Sequence, residues 1–209
     1  MKNCLVIDLD RCSGCDSCVA ACKLWHEIPL GVYRSRVAAI GPMGTYPDVS
    51  MYWLPMQCQQ CENPGCIEVC PTGASYRDEE TNVVLIDTET CIGCQTCIEQ
   101  GCPYEVRWYN AATNKVDKCT LCLEDRNDHD DWEPACVHNC CTGALIFGDL
   151  DDPDSAASKA IAEAGEENCH QLNNIGDVNP SSVYILHSST AEWQEWADSS
   201  IETVRYGTK

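Results

Sequence analysis

The sequence has little positive charge. Lysine and arginine together number 13, against 33 aspartate and glutamate residues, and the formal net charge is −20 over 209 residues. Nucleic-acid binding depends on basic patches, so this balance excludes a nucleic-acid partner. The chain also lacks any run of about twenty apolar residues, so we expect no direct membrane span.

The amino terminus lacks the features of a secretory signal peptide. Its first ten residues, MKNCLVIDLD, hold neither an apolar core nor a cleavage site. We therefore expect a cytoplasmic protein by default. The chain is also poor in phenylalanine, with one residue of that type. We expect a thin apolar core that needs support from bound groups, as in other metal-stabilised scaffolds.

Cysteine, in contrast, is abundant, with 19 residues. Most of them fall into four groups of four: Cys12, Cys15, Cys18 and Cys22; Cys58, Cys61, Cys66 and Cys70; Cys91, Cys94, Cys97 and Cys102; and Cys119, Cys122, Cys136 and Cys140. A Cys-x-x-Cys-x-x-Cys run followed by a further cysteine is the bacterial ferredoxin signature for a [4Fe–4S] cubane. Two such runs and two variants predict four [4Fe–4S] clusters and therefore electron transport.

Two other uses of cysteine compete with this interpretation. Structural zinc also takes thiolates, but its motifs are pairs of cysteines rather than triplets. A disulfide framework is typical of short secreted chains, and this chain shows no secretory signal. Soft thiolate ligands in triplets favour iron–sulfur clusters over both.

Internal repetition predicts the architecture. Short apolar strands at 6–8 and 85–87 precede the first and third cysteine groups by the same distance, and a Thr-Gly-Ala triplet follows the second and fourth. The fold class is therefore α+β: tandem bacterial-type ferredoxin folds with loop insertions. Residues 1–150 form a double, four-cluster domain with interlocked half repeats at about 1–80 and 81–150. Residues 151–209 form a C-terminal helix and strand extension.

Several segments outside the motifs carry their own predictions. Glycine and proline predict an irregular loop with short strands at 25–57, such as one at 50–54. An acidic stretch at 123–135 indicates a solvated face.

The extension contains three further predicted elements. Alanine-rich residues at 154–164 predict a helix that ends at Gly165, and 182–187 predict a strand. Tail residues Trp193, Trp196, Ile201 and Val204 have helical spacing, which favours packing onto the domain over docking to a partner.

Some single residues also suggest roles. Gly14 and Gly93 suit a backbone that approaches an inorganic cluster closely. Cys4, Cys141 and Cys169 lie outside the four groups or compete with them, and we expect small buried side chains there. The five histidines show no ligand spacing, and His138 is a candidate hydrogen-bond donor to a cluster sulfur.

These motifs resemble those of a known family. The Lys-Cys-x-x-Cys start of the fourth group at 118–122 and the CPTGA stretch at 70–74 are similar to the iron–sulfur subunits of molybdopterin oxidoreductases of the dimethyl sulfoxide reductase family. The resemblance covers about residues 3–150. Within the family, GTYP at 44–47, CENPGC at 61–66 and the pattern at 132–140 look most like the small subunit of pyrogallol–phloroglucinol transhydroxylase and related dehydroxylases.

The resemblance implies a crossed pairing of the four groups, in which the first interlocks with the fourth and the second with the third. We name the resulting ligand sets as follows. Set A is Cys12, Cys15, Cys18 and Cys140; set B is Cys22, Cys119, Cys122 and Cys136; set C is Cys58, Cys61, Cys66 and Cys102; set D is Cys70, Cys91, Cys94 and Cys97. The resemblance also places the cluster of set A nearest the pterin of a partner.

The chain departs from the family pattern at two places. Four residues rather than three separate Cys97 from Cys102, and Gly101 can absorb the extra one as a bulge. Cys141 stands where the family has proline, so that either Cys140 or Cys141 could be the ligand. The alignment of the Thr-Gly-Ala triplets favours Cys140.

The resemblance implies a non-catalytic, anaerobic electron-transfer subunit. Its partner would be a large catalytic subunit with a molybdenum or tungsten bis-pterin. A hydroxylated aromatic is one candidate substrate for that subunit. A membrane anchor or a quinone-linked subunit is a further candidate partner. Export of the folded complex on a partner's twin-arginine signal is the alternative to a cytoplasmic location. A stand-alone polyferredoxin is the first alternative function, and a zinc-stabilised interaction module is the second.

Overall fold

A computed structural model describes residues 1–124 and 132–194 of the chain. The strands are β1 (Asn3–Asp8), β2 (Arg36–Thr45), β3 (Asp48–Met56), β4 (Ser75–Arg77), β5 (Val84–Ile86), β6 (Arg107–Asn110), β7 (Lys115–Lys118), β8 (Leu145–Asp149), β9 (Cys169–His170) and β10 (Val183–Ile185). The helices are α1 (Ser17–Trp25), α2 (Gly65–Glu68), α3 (Thr96–Glu99), α4 (Ala135–His138) and α5 (Ala156–Ala164). The chain is therefore a mixture of short helices and strands, as expected for α+β.

The strands form one sheet of four and three separate hairpins. The sheet has the order β8-β1-β10-β9, in which β1 is antiparallel to β8 and parallel to β10. The hairpins are β2–β3, β4–β5 and β6–β7. Strand β1 is thus covered on both edges and supports the loop that follows it.

The strands predicted before the first and third cysteine groups are confirmed as β1 and β5. The helices that follow them begin alike, because the residue before α1, Asp16, and the residue before α3, Gln95, both adopt the left-handed conformation. The residues before α2 and α4 are prolines, Pro64 and Pro134. The repeated sequence pattern is therefore matched by repeated local backbone.

The segment at 25–57 is more regular than its composition predicts. The strand predicted at 50–54 is confirmed as part of β3, but in place of the irregular loop the segment contains the longest hairpin, with ten residues in β2 and nine in β3. The pairing register shifts between Ile40 and Met43, so Gly41 and Pro42 form a bulge within the hairpin and do not end the strand. The prediction of an irregular loop is therefore wrong, because glycine and proline do not interrupt the hairpin here.

The predicted helix and strand of the extension are confirmed. Helix α5 begins after Ser155, whose hydroxyl accepts a hydrogen bond from the Ser158 amide at 3.1 Å, and ends at Gly165 with φ of 81°. Strand β10 lies between β1 and β9 in the main sheet. Trp193 stacks on His170 with ring centroids 4.9 Å apart, whereas Trp196, Ile201 and Val204 lie outside the described residues.

The apolar core is larger than the single phenylalanine suggests. It is filled by leucine, isoleucine, valine, methionine and tyrosine side chains between the main sheet and the β2–β3 hairpin. Tyr184 is fully buried at its centre, and its hydroxyl accepts a hydrogen bond from the Gln59 side-chain amide at 3.0 Å. The expectation of a thin core is wrong because tyrosine and aliphatic residues take the place of phenylalanine.

Across the residues that the structure describes, none of the helices combines the length and the apolar character required to cross a lipid bilayer.

Candidate metal centres

The first and fourth cysteine groups are brought together where α1 packs against α4. Burial raises the pKa of the Cys12 thiol, and negative charge on Cys140 and Cys15 adds to the increase. Burial likewise raises the pKa of Cys18 to about 12, with further contributions from Cys12 and Cys140. The four members of set A are therefore neighbours, although Cys140 is far from the others in sequence.

Set B surrounds an apolar cavity. Burial raises the pKa of Cys136 far above its usual value. The negative charges of Cys119, Cys122 and Cys22 are the next largest causes of this increase. The cavity wall is formed by Cys18, Cys22, His26, Arg34, Ser35, Pro55, Gln57, Cys119, Thr120, Leu121, Cys122, Pro134, Cys136 and Leu145. All four thiols of set B line this cavity, and Cys18 of set A joins them.

Set C is built around α2, the short helix that contains Cys66. Burial raises the pKa of Cys61, and the negative charges of Cys58, Cys102 and Cys66 raise it further. Burial also raises the pKa of Cys66 to about 11, and the nearby Arg107 guanidinium opposes that increase. These four thiols come from the second cysteine group and from the end of the third.

Set D lines a second cavity. Its wall is formed by Cys70, Pro71, Thr72, Ala74, Ser75, Ile86, Cys91, Ile92, Cys94, Cys97 and Val116. Hydrogen bonds from the Thr96 side chain and amide lower the pKa of Cys94, which is exposed. The four thiols thus face a mostly apolar space at one border of the domain.

The four sets adjoin one another in a row. Cys18 of set A lies on the wall of the cavity of set B. Burial raises the pKa of Cys119 in set B, and the charge of Cys58 in set C is the next contribution. Cys66 of set C and Cys97 of set D belong to one buried cluster, and Arg107 donates both to Cys66 and to Ser75 on the wall of the set D cavity. The order of neighbours is therefore A, B, C and D.

The donor chemistry of these sites fits iron–sulfur clusters. Every set contains four thiols, and soft thiolates are the ligands that such clusters use. Backbone amides donate to several sulfurs, including Cys122 from Ala135 at 3.4 Å and Cys119 from Leu121 at 3.5 Å. Among the described residues, no three His, Cys, Asp or Glu side chains converge as closely as a single metal ion requires.

Cys140 and Cys70 have the same surroundings. The Cys140 sulfur lies 3.7 Å from the Thr142 hydroxyl, and the Cys70 sulfur lies 3.8 Å from the equivalent Thr72 hydroxyl. Cys141, in contrast, is exposed, and its sulfur lies 3.5 Å from that of Cys15. This geometry agrees with the Thr-Gly-Ala alignment in favouring Cys140.

The two motif glycines are required by neighbouring protein atoms. Both have positive φ, 65° at Gly14 and 69° at Gly93. A Cβ atom on Gly14 would lie 2.2 Å from the Trp53 ring, and one on Gly93 would lie 2.3 Å from the Asn114 carbonyl oxygen. The space for a side chain is therefore already taken by protein, a reason that the sequence does not indicate.

The histidine that lies beside a cysteine sulfur is His26, and not His138 as the sequence suggests. His138 is largely exposed and faces Glu133, so it does not reach a cysteine sulfur as predicted. His26 is buried instead, with its Nε2 atom 3.2 Å from the Cys122 sulfur and its Nδ1 atom 3.1 Å from the Glu124 carboxylate. No sequence pattern indicates this role for His26, because Cys122 is 96 residues away.

The flanks of the acidic stretch make specific contacts, although their acidic side chains are exposed. Burial raises the pKa of Glu124, but hydrogen bonds from His26 and Thr120 lower it to about 2. The Trp132 indole donates to the Cys122 carbonyl oxygen at 2.7 Å. Residues 125–131 of this stretch lie outside the described residues. Glu124 and Glu133 are exposed, as a solvated face requires, whereas Pro134 and Ala135 are buried.

Of the remaining cysteines, Cys4 is fully buried on β1, and burial raises its pKa to about 12. Cys169 on β9 is half-buried. The expectation of a small buried side chain is confirmed for Cys4, whereas Cys141 is exposed.

Comparison with known proteins agrees with this chemistry. The 4Fe-4S dicluster domain family matches residues 49–150. The chain is 38% identical to a subunit of the sulfite dehydrogenase of Allochromatium vinosum, over 89% of this chain and 83% of that one. It is 36% identical to the iron–sulfur subunit of a dimethyl sulfoxide reductase assigned in Halobacterium salinarum, over 95% and 84%. It is 41% identical to one of the chains of the polysulfide reductase of Wolinella succinogenes, over 76% and 82%.

Proposed function

This chain is a member of the family of iron–sulfur subunits of molybdopterin oxidoreductases, and we propose that it relays electrons through four [4Fe–4S] clusters. The electrons would pass to or from a separate catalytic subunit with a molybdenum or tungsten bis-pterin. This chain would carry the electrons and bind the catalytic subunit, and the catalytic subunit would carry out the reaction with the substrate.

The observation that carries the proposal is the gathering of sixteen cysteines into four neighbouring sets. Each set combines thiols from two cysteine groups, as in ferredoxins whose fourth cysteine serves the other cluster. Sets A to D are therefore the proposed ligand sets. The interlocked half repeats, 1–80 and 81–150, are the proposed cluster domain.

The protein itself supplies thiolates, amide donors and shielding. A bound [4Fe–4S] cubane would accept and release one electron at a time. The Ser75 and Ala144 amides donate to ligand sulfurs and so help to hold the negative charge of thiolates. The apolar walls around sets B and D limit the access of water. Hydrogen bonding and solvent exposure are the main means by which a protein adjusts cluster potentials.

The row of sets supports a path of conduction from one end of the chain's cluster domain to the other. Sets A and D lie at its ends, and each has an exposed thiol, Cys15 and Cys94 respectively. We propose that the catalytic subunit docks near Cys15 and the segment around Cys140. An electron donor or acceptor, such as a membrane-anchored or quinone-linked subunit, would then meet the end at set D.

The substrate would be decided by the catalytic subunit. The relatives are named for sulfite, dimethyl sulfoxide and polysulfide, which supports a sulfur compound. The likeness of 44–47 and 61–66 to pyrogallol–phloroglucinol transhydroxylase supports a hydroxylated aromatic instead. Assays of the complete complex with both substrate classes separate these two candidates.

Purification of the complex under anaerobic conditions tests the proposal. We expect about 16 iron and about 16 sulfide per chain, four of each per cubane. We also expect a much larger, pterin-containing subunit to co-purify, and the separated chain to reduce no substrate with an artificial donor. About four zinc ions without sulfide would establish the zinc module instead. A fully loaded monomer that exchanges electrons freely with many acceptors would establish a polyferredoxin.

The doubled cysteine provides a test of set A. Cys140→Ser should remove the iron of one cluster, about four atoms, because the Cys140 sulfur has the same hydroxyl neighbour, two residues along the chain, as that of Cys70. Cys141→Ser is the matched control and should keep its iron, because the Thr-Gly-Ala alignment pairs Cys140, and not Cys141, with Cys70. Iron and sulfide analysis of both variants is the measurement. Loss of iron from Cys141→Ser alone would reverse the assignment.

A further inference from the structure

Arg107 occupies an unusual position for an arginine. It begins strand β6 and is 5% exposed, so its guanidinium is removed from water. Its Nη2 atom donates to the Cys66 sulfur at 2.9 Å, and its Nη1 atom donates to the Ser75 hydroxyl at 2.9 Å. Ser75 lies on the wall of the set D cavity, and its amide donates to the Cys70 sulfur at 3.4 Å. Cys66 and Cys97 belong to one buried cluster, and the negative charge of Cys97 raises the pKa of Arg107. One side chain therefore lies between a thiol of set C and the cavity of set D.

A second cation lies directly across the hairpin. Lys118 on β7 is paired with Arg107 in the strand register and is 1% exposed. Its ammonium group donates to the carbonyl oxygens of Val84 and Cys119, to the latter at 2.7 Å. Like charges at opposite positions of a hairpin destabilise it, and buried charges are costly without a counter-charge. Something must compensate for this pair.

Thiolates are the compensating charges that the structure provides. Burial lowers the pKa of Arg107, but the charges of Cys66, Cys58 and Cys97 raise it above its usual value. Arg77 differs, since it donates to the carbonyl oxygens of Cys61, Glu62 and Asn82. Arg107 is thus a buried cation whose charge is balanced by negatively charged sulfur atoms.

We propose that Arg107 is a shared positioning residue, which binds thiolates of sets C and D at once and raises the midpoint potentials of both clusters. The proposal rests on the function proposed above. Reduction adds one negative charge to a cluster, and a buried cation at hydrogen-bond distance stabilises the reduced form more than the oxidised form. The planar guanidinium is suited to this role because its fork presents several donors in fixed directions.

The test is a redox titration followed by electron paramagnetic resonance on anaerobically loaded protein. Arg107→Gln should lower two of the four midpoints, each by at least about tenfold in the reduced-to-oxidised ratio, or about 59 mV for a one-electron couple. Arg107→Lys keeps the charge but lacks the fork, so it should lower one midpoint only. Arg11→Gln, a change of the same net charge at an exposed residue, should leave both of those midpoints unchanged.

The outcomes separate this proposal from the preceding one. If the unmodified chain does not bind four clusters, the proposed function fails, whatever Arg107 does. Fully loaded Arg107→Gln protein with unchanged midpoints would overturn the role of Arg107, and a shift of one midpoint alone would overturn its sharing. If Arg107→Gln does not load, Arg107→Lys decides: one lowered midpoint supports the proposal, and four unchanged midpoints overturn it.

Discussion

Cys22→Ser should remove the cluster held mainly by Cys119, Cys122 and Cys136, and should spare the cluster held by Cys12 and its neighbours. Cys22 belongs to the first cysteine group by sequence. However, burial raises its pKa and the charge of Cys119 is the next contribution, which places its thiol beside the fourth group. We expect a loss of about four irons per chain, since a serine hydroxyl is a poor replacement for a soft thiolate.

Paired variants identify which cluster is lost. Cys22→Ser and Cys119→Ser should lose the same resonance signal, whereas Cys22→Ser and Cys12→Ser should lose different ones. Cys169→Ser is the control, because that thiol lies outside all four sets and should leave the iron content unchanged. If Cys22→Ser and Cys12→Ser abolished the same signal and Cys119→Ser another, the crossed pairing would be wrong.

The sequence predicts features that depend on a few neighbouring residues. Strands β1 and β5 precede their cysteine groups at equal distances, so that the spacing alone indicates them. The limits of α5 follow from Ser155 and Gly165, whose capping roles are local. The cysteines themselves predict cluster chemistry because the ligand spacing within a triplet is also local.

The sequence does not predict contacts between distant segments. The sulfur contacts of His26 and Arg107 span 96 and 41 residues, and no spacing connects the partners. The sequence favours His138 because it lies near cysteines along the chain, yet its helix directs it outward. A local signal exists only for Arg107, which lies between the apolar residues Val106 and Trp108.

The β2–β3 hairpin escapes prediction for a related reason. Its glycines and prolines break regular structure when considered one at a time. Packing of Tyr52, Leu54 and Met56 into the core outweighs that local preference, since all three side chains are nearly fully buried. Tertiary burial therefore decides the structure of this segment, and burial of this kind cannot be derived from local composition.

Gly101→Val should abolish binding of the cluster of set C. Gly101 precedes Cys102 in the stretch with one extra residue, and the sequence suggests only that it absorbs that residue. A Cβ atom there would lie 2.7 Å from the Cys66 Cα and 2.8 Å from a Val69 methyl carbon. Backbone cannot yield as a flexible side chain can, so valine should separate Cys102 from Cys66, whereas overpacking elsewhere costs about 1–3 kcal/mol.

Gly65→Ala is the matched control for this contact, because it adds a methyl group from the opposite side. Its Cβ atom would lie 3.1 Å from the Gly101 carbonyl oxygen, a tight approach that a small shift can relieve. We expect Gly65→Ala to keep its full iron content and Gly101→Val to lose about four irons, with the other resonance signals retained. Full loading of Gly101→Val would show that Cys66 and Cys102 need not approach each other, and Cys102 would then no longer belong in set C.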